Sequence, residues 1–253
     1  AFDEASVIRV MADCRAVSWA TTLIGGGTRA VFRDGDVPGV VLRLSGALAQ
    51  WTFDGDQVHV GGGAPVPALV AAAAQRGLSG LEGFVCTPGT VGAAALFDDA
   101  WGAVVTSGRT ILRDKVVVEG LPSIRRRKSS VVLGLTLQLT ASTPAEVLRR
   151  TDAAWRQMKP TPPGSWYEAP KKGSVRAMLQ SVQLPLVRLR RVAIPDGAPE
   201  CLVNLGQGTA ADMALLHRSA IDRVKKVRGL DLAPAIRWVG GRERALEGHH
   251  GEP

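Results

Sequence analysis

Short apolar runs alternate with glycine- and proline-rich breaks along this chain, and the period of the runs changes from one to the next. Residues 3–16, DEASVIRVMADCRA, carry Val7, Met11 and Cys14 at helical spacing with Ile8 beside them, which predicts a helix. TTLI (21–24) reads as a short strand that ends in GGGT. VVLRLSG (40–46) and VHVGGG (58–63) read as strands between turns, and VPALVAAAAQRG (66–77) as a helix with proline in its first turn and glycine at its end. Further on, KVVVE (115–119) predicts a strand. VVLGLTLQLT (131–140) predicts a longer one, with Leu133, Leu135, Leu137 and Leu139 on one side and Gly134, Thr136 and Gln138 on the other. A helix is expected over 144–158, opened by Thr143-Pro144 with the threonine as cap. The C-terminal part predicts a short helix near 174–182, strands near 192–194 and 202–204, and a long helix over 209–229. That last helix begins with a Thr-x-x-Asp box and ends in Lys, Lys, Arg and Gly. The polar tail from Arg242 to Pro253 is predicted to fray.

Composition narrows the class. The 253 residues suffice for one large domain or two to three small ones, and 29 Gly with 15 Pro imply many tight turns. No apolar run is long enough to span a membrane. The N-terminus, AFDEASVIRV, lacks both the order of a secretory signal and an initiator Met, so a processed chain is an open reading. Cys14, Cys86 and Cys201 have no metal-ligand spacing and no disulfide pattern, which predicts a reducing compartment and no metal.

Charge adds a second expectation. The net charge of +8 and a pI near 10.0 suggest a polyanionic partner. Basic residues cluster at Arg125, Arg126, Arg127 and Lys128, at Lys171 and Lys172, at Arg188, Arg190 and Arg191, and at Lys225 and Lys226; Arg149, Arg150 and Arg156 add to them. Such clusters without a base-reading motif bind phosphate backbones rather than sequence. Each also reads as a solvated face, and the Lys225–Lys226 pair as a helix C-terminus. Trp155, Trp166 and Trp238 lie near basic residues, either as stacking platforms for bases or as core.

Three strand–glycine junctions carry the candidate chemistry: LIGGGTRAVF (23–32), VGGGAPVPALV (60–70) and GLSGLEGFVCTPGTVGAAA (77–95). Glycine lets backbone N–H groups approach an anion with no Cβ in the way, and several such turns converging can hold a dinucleotide diphosphate. With GSWYEAP, CLVNLGQGTAADM and LAPAIRWVG further on, their order resembles UDP-N-acetylenolpyruvoylglucosamine reductase, the MurB flavoenzyme family of peptidoglycan synthesis. The resemblance implies an α+β chain: an FAD-binding fold of the vanillyl-alcohol-oxidase/MurB type over residues 1–142, in two subdomains of about 1–47 and 48–142, then a smaller MurB C-terminal domain over 143–253. It implies that Gly25, Gly26, Gly27, Thr28, Pro88, Gly89, Thr90, Val91 and Gly92 are the FAD-binding positions, if FAD is retained. It also implies chemistry in which NADPH reduces the flavin and the flavin passes hydride to an enolpyruvyl group.

Against that family pattern the scaffold positions match better than the chemical ones. The resemblance makes Ser165 the proton donor and Arg127 the arginine of a Tyr-Arg-x-Ser motif. Glu168 and Ala169, however, stand where the family has lysine and asparagine, and Ala233 and Ala235 where it has two glutamates. Ala93 adds a methyl group within the PGTVG turn, and the segment between Gly102 and Arg125 looks short for the family. A carboxylate beside a developing enolate raises the barrier, and alanine handles no proton. These losses together with the basic clusters lead to one expectation: a degenerate member with Ser165 and Arg127 as remnants and no retained cofactor. It would serve as a structural component of an RNA-rich assembly such as a mitochondrial ribosome, in contact with RNA or proteins of that particle. The alternative is a cytoplasmic FAD-dependent, NADPH-using reductase, and a third reading keeps FAD as a bound structural ligand without turnover.

Overall fold

The structure is a computed structural model that describes residues 1–112, 115–126, 131–158, 165–168, 174–184 and 187–241. In chain order its first half runs α1 (Glu4–Ala16), β1 (Thr21–Ile24), β2 (Ala30–Phe32), β3 (Val40–Arg43), β4 (Trp51–Asp54), β5 (Gln57–Gly61), α2 (Val66–Gln75), β6 (Leu78–Ser79) and α3 (Val91–Phe97). Next come β7 (Val105–Leu112), β8 (Lys115–Glu119), α4 (Leu121–Arg126), β9 (Val131–Gln138), β10 (Thr140–Ala141) and α5 (Pro144–Met158). The remainder is α6 (Val175–Gln180), β11 (Arg188–Leu189), β12 (Val192–Ala193), β13 (Val203–Asn204), α7 (Ala210–Arg228) and β14 (Arg237–Val239). The mixed α+β character expected from the sequence is what the chain adopts.

Contacts divide the chain into two units. The first holds residues 1–28 and 39–164, the second 29–38 and 165–253. The border therefore does not fall at 142/143. Helix α5, expected in the C-terminal domain, packs on α2 and β6 of the first unit, and the ten residues 29–38 belong to the second.

In the first unit a five-stranded antiparallel sheet has the order β4-β5-β9-β7-β8, and β1 pairs with β3 in parallel, Leu23 opposite Leu42. Helix α1 forms where Asp3 accepts a hydrogen bond from the Ser6 N–H at 2.7 Å, and it buries Val7 and Cys14, a helical seven residues apart. Strand β9 departs from simple alternation. Val131 through Leu135 are all buried, because the strand is central and serves two cores. Val131 and Leu133 pack with Val7, Leu42, Leu44 and Ile111, whereas Val132, Leu135 and Leu137 pack with α2, α3, Phe84 and Trp101. The span between Gly102 and Arg125, expected to be shortened, contributes β7, β8 and the start of α4.

The second unit closes around α7. Thr209 and Asp212 form the expected capping box, each side chain bonded to the other's backbone N–H at 3.1 Å, and Gly229 ends the helix. Asp34 adds both carboxylate oxygens to the same helix end, accepting from the N–H groups of Ala210 and Ala211 at 2.9 Å. That contact, and the parallel pairing of β2 with β14, fixes the 29–38 arm in this unit. The apolar side of α7, Leu216, Ala220 and Val224, packs on Trp166, Tyr167, Leu179 and Val192.

Candidate functional site

In the first unit, β1 and β5 both end in glycines, and the 88–92 turn leads into α3. Val91 N–H donates to Ala64 O at 2.9 Å, Gly92 N–H to Gly62 O at 2.9 Å, and Val66 N–H to Gly89 O at 3.1 Å. These bonds tie the 88–92 turn to the glycines after β5. The turn also meets the glycines after β1. A Cβ on Gly26 would lie 2.9 Å from Gly89 Cα, so only glycine allows this approach of two backbones. Gly89 itself has φ +97, in the region that favours glycine. Thr90 Oγ1 and the methyl group of Ala93 face Gly25, at 2.5 and 3.2 Å from where a Cβ there would stand. The Ala93 methyl group thus packs on the first glycine turn.

The consequence is a cradle of unused donors. The N–H groups of Gly25, Gly26, Gly27, Thr28, Gly89 and Thr90 make no hydrogen bond to any described residue. Thr90 is buried, Gly25, Thr28 and Gly89 are half-buried, and Gly26 and Gly27 are exposed. Convergent backbone N–H groups on glycine turns suit an anion with several oxygens, and the set fits a dinucleotide diphosphate. Among the described residues no group of three or more His, Cys, Asp or Glu could hold a metal ion.

The second unit pairs the two motifs that carry the altered polar positions. Glu168 N–H donates to Ala233 O at 2.8 Å, Ala235 N–H to Trp166 O at 2.9 Å, and Tyr167 stands opposite Pro234. Residues 165–168 and 233–235 are therefore neighbours, as two halves of one site would be. Ser165 Oγ donates to Tyr167 O at 2.8 Å and accepts from Tyr167 N–H at 3.1 Å. The hydroxyl thus closes its own turn. The Glu168 side chain is exposed, and methyl groups stand at 233 and 235.

Behind this ladder lies a group the sequence did not reveal. Trp166 N–H donates to Glu200 O at 2.9 Å, and the buried Glu200 carboxylate takes Arg176 Nη2 at 2.6 Å and Nε at 3.1 Å. Burial, then the Glu200 charge, pushes the neighbouring Cys201 thiol up to about 11, with Arg176 opposing. Tyr167 stacks on His217 at 4.9 Å, and burial first, with Cys201 second, raises its phenol well above the ordinary range. His217 is held below its ordinary value by burial, against a hydrogen bond to the Trp166 backbone. Tyr167 Oη and His217 Nε2 are both buried without a partner among the described residues. No motif flags these contacts, because each joins residues far apart in sequence.

Several of the other expected positions that are described are engaged inside the chain. Arg125 donates to Ala95 O and Asp99 Oδ1 at 2.8 Å and to Asp98 O, closing the end of α3. Arg149 and Arg150 both hold Glu146, whose carboxyl is lowered to about 2 by those hydrogen bonds. Arg188 reaches Arg190 O at 3.4 Å, Arg190 lies 3.7 Å from Asp212, and Lys225 bonds Asp231 at 2.8 Å. Arg191 and Lys226 are exposed, and Arg126 closes α4. Trp166 is core and Trp238 lies under Arg33 at 5.0 Å, which leaves Trp155 as the exposed one of the three. Arg127, Lys128, Lys171, Lys172, Ala169 and the 242–253 tail lie outside the described residues.

Comparison with known proteins points to one family. A family profile described as an FAD binding domain matches residues 1–110. The UDP-N-acetylenolpyruvoylglucosamine reductase of Rubrobacter xylanophilus is 32% identical over 87% of this chain and 80% of its own length. The reductase of the same name from Deinococcus radiodurans is 30% identical over 83% and 81%. Among solved structures, UDP-N-acetylenolpyruvylglucosamine reductase (MurB) from Thermus caldophilus superposes with a TM-score of 0.80, covering 94% of this chain and 90% of its own at 24% identity.

Proposed function

This chain belongs to the UDP-N-acetylenolpyruvoylglucosamine reductase family, and from that premise we propose that it binds FAD in the glycine cradle of its first unit and acts as an NADPH-using reductase of an enolpyruvyl sugar nucleotide. The observation that carries this reading is the set of unpartnered N–H groups at Gly25, Gly26, Gly27, Thr28, Gly89 and Thr90. In this reading they hold the diphosphate, with Pro88, Val91 and Gly92 shaping the turn around them. When bound, FAD supplies the two-electron centre between NADPH and the enolpyruvyl double bond.

Reducing that double bond adds one hydride and one proton. Ser165 is the proton donor in this reading. Its O–H leaves Tyr167 O to deliver the proton, and the Tyr167 N–H on Oγ stabilises the alkoxide that remains. Glu168 opposes negative charge building nearby, and Ala233 and Ala235 cannot assist. Turnover at the enolpyruvyl step is therefore slow, by about a hundred- to thousand-fold relative to a site with its charged groups in place.

A second reading rests on the same four positions, 168, 169, 233 and 235: FAD is held but the enolpyruvyl step is lost. The RNA-assembly reading gains nothing from the geometry, since Arg125, Arg149, Arg150 and Lys225 already have internal acidic or carbonyl partners. The cytoplasm of a bacterial cell is the setting that goes with the reductase. No helix among the described residues is long and apolar enough to cross a membrane.

One purified sample decides between the two. The visible absorption of oxidised flavin is expected, with NADPH oxidation that speeds up when UDP-N-acetylglucosamine enolpyruvate is added. Flavin without that acceleration leaves the second reading standing. Protein that stays colourless after incubation with FAD overturns both.

A further inference from the structure

Strand β8 forms one edge of the five-stranded sheet. Its register against β7 sets Leu112 opposite Lys115, Thr110 opposite Val117 and Gly108 opposite Glu119. Two residues separate Leu112 from Lys115, so that pair exchanges its hydrogen bonds across the hairpin, and every second pair after it does the same. The N–H and C=O groups of Lys115, Val117 and Glu119 thus point to β7, and those of Val116 and Val118 point away from the sheet. Neither outward N–H bonds any described residue. Val118 is also 68% exposed.

We propose that β8 is the docking site for a second copy of this chain, edge to edge and antiparallel about Val117, so that the two sheets run on as one. The strand KVVVE is self-complementary in that register alone. Lys115 falls opposite the second copy's Glu119, whose Oε1 also accepts from Thr110 Oγ1 at 2.7 Å in its own sheet, and Glu119 opposite its Lys115, with Val117 against Val117 between them. Val116 exchanges both backbone hydrogen bonds with the second copy's Val118, and Val118 with its Val116, so every outward group on the strand is used. A parallel pairing would set Lys against Lys and Glu against Glu. The same symmetry makes the contact isologous and closed, which limits it to a dimer. The opposite edge, β4, offers no such match. Its sequence is WTFD, and Phe53 is already covered by the Arg76 guanidinium at 4.2 Å. Edges are ordinarily blunted by charged residues, proline or a bulge; β8 carries Lys115 and Glu119 at its two ends, with neither proline nor bulge between them.

Sedimentation velocity of the full chain across a concentration series tests this. A reversible dimer is expected with a dissociation constant in the micromolar range, as suits a small interface. Lys115→Glu places like charges together at both ends, and its exposed side chain makes folding insensitive to the change. Its dissociation constant should rise about tenfold or more, with less effect at high salt. Val118→Pro removes an outward N–H while leaving the β7 ladder its bonds, and it too should give monomer. A wild-type chain that stays monomeric up to about 100 μM, or a dimer indifferent to Lys115→Glu, overturns the proposal.

Discussion

The two candidate regions differ in what they are made of. The cradle in the first unit is built from backbone: its donors are N–H groups, and its shape comes from glycines that allow Gly26 and Gly89 to touch. The 165–168 and 233–235 ladder in the second unit keeps its backbone pairing equally well, yet its chemistry belongs to side chains. Any residue type leaves a main-chain amide in place, so a site of amides survives substitution as long as the turn does. A site of carboxylates and ammonium groups disappears one residue at a time while the fold is untouched. That is how one chain can keep a turn of open amides in its first unit while the ladder of its second unit carries two alanines and an exposed glutamate.

The largest effect should come from spoiling the turn itself. Gly89→Val puts a branched side chain at φ +97, where left-handed geometry costs roughly 1–2 kcal/mol, and 3.1 Å from Thr28 Oγ1. The turn must shift, and the amides on both sides of it lose their aim. FAD affinity is expected to fall by about a hundred- to thousand-fold, at about 1–1.5 kcal/mol per misdirected hydrogen bond in addition to the strain. Flavin fluorescence titration reads this directly. An unchanged dissociation constant would remove Gly89 from the cradle and with it the argument that backbone carries the site.

The opposite manipulation sharpens the comparison from the other side. Glu168→Lys with Ala235→Glu returns a cation and a carboxylate to a ladder whose backbone joins Glu168 to Ala233 and Ala235 to Trp166. The enolpyruvyl step should speed up about tenfold to a hundredfold, less than the full cost of losing such groups, because the neighbours of a restored side chain are not arranged for it. The rate of flavin reduction by NADPH should not change. Stopped-flow measurement of the two half-reactions separates them. Equal acceleration of both would place these residues in cofactor handling instead.

What could be read from the sequence follows the same division. Helix α1 was legible from the spacing of its apolar residues, two of which, Val7 and Cys14, are buried, and α7 because Thr209 and Asp212 act within its own first turn. The glycine junctions were legible as turns because glycines follow a strand or open a helix there, and the structure brings Gly26 and Gly89 together. Strand β7 was not: VTSGRTIL alternates weakly, carries two register irregularities against β9, and gains its place from partners on both sides. The domain border failed for a related reason. Helix α5 carries a correct start signal at Thr143, but which unit it covers is decided by α2, far upstream. The Arg176–Glu200 pair left no trace because neither residue type is unusual where it stands. Charge counts in sequence do not show that Arg125 closes α3 or that Arg149 and Arg150 share one glutamate.

The smallest expected effect concerns the support beneath the ladder. His217 presses its ring on Tyr167 and against Trp166, with Nε2 buried and unpartnered among the described residues. Burial lowers its pKa, so the folded chain holds it neutral at a pH where the unfolded chain has begun to protonate it. No penalty exists well above the unfolded value of about 6.5. As pH falls through that value toward the lowered folded one, the unfolded state binds the extra proton and stability is lost, with a slope of at most about 1.4 kcal/mol per pH unit for one group. His217→Phe keeps an aromatic ring in the stack and removes the titration. Its unfolding midpoint in urea should lose this part of the pH dependence between about 6.5 and the lower folded value, while Gly89→Val should leave the dependence intact, because the cradle contains no group that titrates there. If His217→Phe keeps the full acid sensitivity, the ladder's support is not where the two regions differ in their response to protons.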